Sequence, residues 1–131
     1  MSNVWVGLDG VGRIGVAILF VKAGINHIRK RQAMMAYVQS KNLPFAWLDV
    51  IGTGIMMLVG SALLVVNWHP HWGAAIIVVF LVPTAFLMHN YWTEPDPMAR
   101  ANQNAHFWKN ITIAFALGLY IVQGHLYTVA H

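Results

Sequence analysis

The sequence predicts an all-α protein: a four-transmembrane-helix bundle with a short interfacial helix between helices 1 and 2, forming a single integral membrane domain over residues 1–131. Two observations predict it. The chain is 58% hydrophobic and only 9% charged, with a mean hydropathy of +0.57, which leaves too little charge to cover a water-soluble globule. Its apolar residues also gather in four runs, at about 11–28, 46–66, 73–88 and 107–126. At ~1.5 Å of rise per residue, each run crosses most of a ~30 Å hydrocarbon core.

The first run opens with no lysine or arginine ahead of it, so it lacks the basic start of a cleaved signal and is expected to remain as a helix. Inside it, Gly10-Val11-Gly12-Arg13-Ile14-Gly15 matches the spacing of a dinucleotide fingerprint. That fingerprint works only between a strand and an amphipathic helix, with an acid about 20 residues on. Here that region reads Met34-Met35-Ala36, so the expected role of Gly12, Gly15 and Gly24 is close helix–helix approach. Arg29-Lys30-Arg31 then leads into a segment with apolar Met34, Met35, Tyr37 and Val38. It is too short to span and is spaced for a helix lying on the membrane. Pro44 ends it.

The second run carries one charge, Asp49, in its first turn. Trp68 and Trp72 bracket the next link as an interfacial aromatic belt. Pro83 interrupts the third run, removing an N–H and predicting a kink. The long polar break from His89 to Asn110 precedes the fourth.

Absent cysteines exclude disulfides and thiolate metal sites within the chain. The net charge of +4 is concentrated in the links, so it reads as a topology signal and no nucleic-acid partner is expected. Arg29, Lys30, Arg31, Lys41, Arg100 and Lys109 all fall in the first and third links, against Arg13 alone on the other side. The expected orientation therefore has those links in the cytoplasm and both termini outside.

Antiparallel threading brings Lys22, Asn26, His27, Asp49, His89, Asn104, His106, Lys109 and Asn110 toward one membrane face. Lys22 lies roughly 9 Å inside its end of the span. A lone charge at a span's centre costs about 3 kcal/mol, so either Asp49 pairs with it or its long stem reaches the headgroups. His106 and Asn110 share a helix face, which suits a common ligand or simple hydrogen bonding. If this cluster binds a cofactor, His89 and His106 are the candidates, for a quinone or a haem. No metal site and no covalently bound cofactor are expected. On the other face His69, His71, His125 and His131 are expected to be solvated or interfacial.

These residues also carry a resemblance. Gly12-Arg13 with Phe20 and Gly24, Leu43-Pro44, then Asp49, Gly52 and Gly60, and finally His89, Trp92, Asn104, His106-Phe107 and Lys109-Asn110 together resemble the DoxX family of small four-helix prokaryotic membrane proteins. The chain departs from that pattern where it has Asp49 for a glutamate, His27 for a lysine, and Lys22 for an apolar residue. The resemblance implies residence in a prokaryotic cytoplasmic membrane and association with membrane redox systems, including quinone-linked sulfur oxidation.

The expected function is accordingly that of a non-catalytic accessory subunit. It would pack within a larger quinone-linked electron-transfer complex, with lipid around it and no activity of its own. A quinone- or haem-binding oxidoreductase subunit using the polar cluster is the alternative, and a small-molecule or cargo transporter the weaker one.

Overall fold

Hydrocarbon offers backbone N–H and C=O groups no partners, and a helix satisfies them internally. The computed structural model describes residues 3–130, and its regular elements are all helical. They are α1 (Asn3–Arg29), α2 (Arg31–Ser40), α3 (Ala46–Val66), α4 (Pro70–Met88), a 3₁₀ turn (Tyr91–Thr93) and α5 (Pro97–Ala130). Among the described residues, four helices are long and apolar enough to cross a membrane. The short α2 is the interfacial helix.

Two spans match the expected bounds closely and two are longer. α1 begins near the amino terminus and runs through Gly10, Gly12 and Gly15 without a break. No glycine has positive φ, so the fingerprint spacing never forms the phosphate-cradling turn. α5 begins at Pro97, well before the apolar run, because Asp96 caps it. Asp96 Oδ2 accepts from the Ala99 N–H at 2.7 Å and Asp96 O from the Arg100 N–H at 2.8 Å, while Pro97 supplies a preset first helical φ.

The helices pack in the order α1, α3, α4, α5, with α2 laid against α3. In their most apolar stretches α3 and α4 are each 33% buried, α1 and α5 only 11%, so α3 and α4 form the middle of the bundle. Met57, Leu64, Ile77 and Leu81 are its fully buried centre, joined by Phe20 from α1 and by Ala114 and Leu117 from α5.

Close approach depends on glycines other than two of those expected. A Cβ at Gly24 would lie 2.9 Å from both Gly54 O and Leu58 Cγ, and one at Gly73 would lie 2.6 Å from Gly60 O. These are the α1–α3 and α3–α4 contacts. Gly12 and Gly15 have nothing within 4 Å; they lie on the outward side of α1, where no helix of this chain reaches.

Phe107 anchors the start of the fourth span. It meets Phe86, Tyr91 and Trp92 edge-on at centroid distances of 5.2, 5.5 and 5.7 Å.

Candidate functional site

The ends of α1, α3 and α4 meet α2 around a groove of about 580 Å³. Its walls are mainly apolar, with Met34, Leu48, Met56, Val79, Phe80 and Leu87 among them, and its polar groups are His27, Tyr37, Asp49, Thr53, Thr84 and His89. Pro83, also in the wall, has no N–H, so the helical bond to the Val79 carbonyl is missing and a backbone acceptor is left there.

His27 reaches the groove from α1. Its Nδ1 lies 3.1 Å from Thr53 Oγ1 and 3.4 Å from Val50 O. The Thr53 hydroxyl donates back along α3 to Asp49 O, so both neighbours of His27 Nδ1 act as acceptors. Nδ1 therefore carries the proton, and Nε2 is left as a free lone pair.

His89, just past the end of α4, is held the same way by a longer chain of bonds. Its Nδ1 donates to Gln103 Oε1 at 2.8 Å, Gln103 Nε2 donates to the Tyr37 hydroxyl at 3.0 Å, and that hydroxyl donates to Met88 O at 3.0 Å. Met88 is in the last turn of α4, whose carbonyls have no helical partner. Burial raises the Tyr37 phenol above its ordinary value, with the Gln103 bond opposing that shift, so it stays protonated as a donor. Lys41 is fixed beside this chain by a 2.7 Å bond to Asn90 Oδ1.

The other expected residues divide. His106 stacks on His89 with centroids 5.1 Å apart, and its Nδ1 accepts from Lys109 Nζ at 3.3 Å. Both lie behind His89 and are absent from the groove wall. Asn110 is buried within α5, and Asn104 Oδ1 is buried without a hydrogen-bond partner. Asp49 lines the groove but has no ion pair among the described residues, where Arg13–Asp9 is the sole salt bridge.

The Lys22–Asp49 pair does not form. Lys22 is five residues before His27, which places it about 140° around the helix and ~7.5 Å deeper. His27 faces α3, and Lys22 with Asn26 therefore sits on the outward face of α1, in a separate groove.

The opposite membrane face has its own polar contacts. Arg13 Nε donates to Asp9 Oδ2 at 2.8 Å and its Nη1 to Leu64 O at 2.7 Å, tying α1 to the last turn of α3. His71 stacks on Tyr120 at 4.8 Å over Gly124. His69 is exposed and packs against Trp68, and His125 is exposed. His131 lies outside the described residues.

Residues 8–90 match the family described as DoxX. The chain belongs to the DoxX family. It is an integral membrane protein of that family, with lipid around its outer helices. Among its relatives, the inner membrane protein YphA of Escherichia coli (strain K12) is 25% identical over 114 residues, covering 87% of this chain and 81% of that protein. No solved structure matches the chain. The DoxX match holds the whole groove, from His27 to His89, and ends before α5. Trp92, Asn104 and the His106–Asn110 block lie beyond it, so for them the DoxX likeness rests on the residues alone.

Thr53 in the groove wall and Gln103 behind His89 are site residues that the sequence does not single out, and Tyr37 reads there only as an apolar position of the short helix. Each is an ordinary residue type whose role depends on a partner far along the chain, 23 to 66 positions distant in the cases of His27–Val50 and Tyr37–Gln103. Local pattern carries no signal for such pairs. The α5 start was different, since Asp96-Pro97 is a readable helix opening.

Proposed function

We propose that this protein is a non-catalytic accessory subunit of a larger quinone-linked electron-transfer complex in a prokaryotic cytoplasmic membrane, and that it holds a quinone headgroup at the groove. The observation that supports this best is the pair of imidazoles in the groove wall, each bonded through Nδ1 to a protein acceptor and each with Nε2 free. A hydroquinone presents two O–H donors on a flat ring with an apolar tail. Two fixed acceptors at the rim of an apolar groove suit that chemistry. Bound there, the quinone would supply two-electron redox chemistry, while the chain's own groups bind and orient the ring. The exposed outer faces of α1 and α5 leave room for neighbouring subunits. The name of the relative YphA supports the inner-membrane location, and the distribution of basic residues supports cytoplasmic first and third links.

A catalytic oxidoreductase subunit is the second reading, favoured by one observation: Asp49 lines the same groove with no ion pair among the described residues. A carboxylate so placed can take a proton that a quinol releases.

Gentle detergent extraction from native membranes, with an optical spectrum and mass spectrometry of everything that travels with the chain, tests both. The accessory reading expects large redox subunits, extractable quinone, and loss of that quinone in a His27→Phe, His89→Phe double variant. A chain that migrates alone without quinone overturns it. A Soret band carried by the isolated chain would replace quinone with haem. Quinone reduction by the isolated chain that Asp49→Asn abolishes would establish the catalytic reading.

A further inference from the structure

A second groove, of about 440 Å³, runs along the outward face of α1. Ile14, Ala17, Ile18, Val21, Ile25 and Val65 make its apolar length, and Lys22, Asn26 and Arg29 its polar end. It plays no part in the quinone reading.

We propose that this groove binds an anionic phospholipid, with the phosphate between Lys22 and Arg29 beside Asn26 and an acyl chain along Ile14, Ile18 and Val65. Three features support it. Lys22, Asn26 and Arg29 are spaced four and three residues apart, which aligns them on one helix face. No acid lines the groove, and neither cation has an ion pair among the described residues, so the counter-charge has to come from outside the chain. The chemistry also runs in the order of a lipid. Cations lie at the end nearest the headgroups, and apolar side chains continue inward over about 22 Å from Arg29 to Ile14.

A carboxylate on a partner helix would satisfy Lys22 alone. It would leave unexplained why Arg29 and Asn26 share its groove. A headgroup phosphate accepts from all three, and basic pockets at this depth take such headgroups. Lys22 is the residue whose exposure on a lipid-facing helix most needs that anion.

The full-length protein is reconstituted with equal phosphatidylglycerol and phosphatidylcholine, extracted in mild detergent and weighed by native mass spectrometry. Wild type retains phosphatidylglycerol selectively, and Lys22→Gln with Arg29→Gln lowers that retention roughly tenfold. Lys30→Gln with Arg31→Gln removes the same charge outside the groove and leaves retention unchanged. Photoreactive phosphatidylglycerol labels the peptides holding Ile18 and Val65 in wild type, a readout that needs no variant to fold. Equal retention by the groove variant and wild type overturns the proposal. So does labelling no heavier in the groove than on α5.

Discussion

His27 Nδ1 on α1 lies 3.1 Å from Thr53 Oγ1 on α3. This bond joins the two helices where the groove begins and decides which imidazole nitrogen is free. Thr53→Val keeps the shape and removes the acceptor. We expect it to cost about 1 kcal/mol in thermal unfolding in detergent, and to weaken quinone-analogue binding as the imidazole loses its orientation. Unchanged binding would mean that Val50 O alone is enough to hold the ring.

Glycines on α1 are expected to differ sharply. Gly24→Ala puts a methyl 2.9 Å from the Gly54 carbonyl, forcing α1 away from α3 at a cost of roughly 1–3 kcal/mol. Gly15→Ala meets open space and gains up to ~1 kcal/mol from helix propensity. Melting curves followed by helical circular dichroism separate the two. Equal effects would show that the α1–α3 contact is not close-packed at Gly24.

Tyr37→Phe removes both the donor to Met88 O and the acceptor for Gln103, and so loosens His89 indirectly. Two lost bonds of about 0.5–1.5 kcal/mol each set the scale. The pH dependence has a definite sign. The folded phenol holds its proton to higher pH than the ordinary value of 10.0. Its contribution is therefore whole below that pH and is lost as pH rises through the folded pKa. The late-titrating part of the tyrosinate absorbance in wild type should shrink by one phenol in Tyr37→Phe.

Arg13 makes two directed bonds to different acceptors, the Asp9 carboxylate and the Leu64 carbonyl. Arg13→Lys keeps the charge without the fork. We expect it to destabilise nearly as much as Arg13→Gln, by about 1.5–3 kcal/mol for the charged bond to the carbonyl. Full rescue by lysine would show that charge, and not geometry, ties α1 to α3.

Much of the fold was legible in the sequence. The four apolar runs, the short α2 before Pro44 and the start of α3 at Ala46 follow from composition and spacing. The groove was legible only in part. His27, Asp49 and His89 were placed on one membrane face by threading alone, and they do share a groove wall. Which way a side chain turns about its helix was not legible without knowing which face of α1 meets α3. For that reason the sequence leaves a Lys22–Asp49 pair open beside a Lys22 that reaches the headgroups, although Lys22 and Asp49 sit on different sides, and it groups His106 with residues it only supports from behind.

The helix lengths bear on the kind of membrane that suits this chain. α3 has 21 residues and α4 has 19, about 31 and 28 Å at the usual rise. Those values match an average hydrocarbon thickness almost without tilt. α5 has 34 residues, about 51 Å, and its surplus lies in the polar turns from Pro97 to His106, which cannot sink into lipid. A thicker bilayer would therefore have to thin around α3 and α4, at fractions of a kcal/mol per ångström of mismatch. The Phe107 aromatic cluster marks the waterline from which that mismatch would be measured.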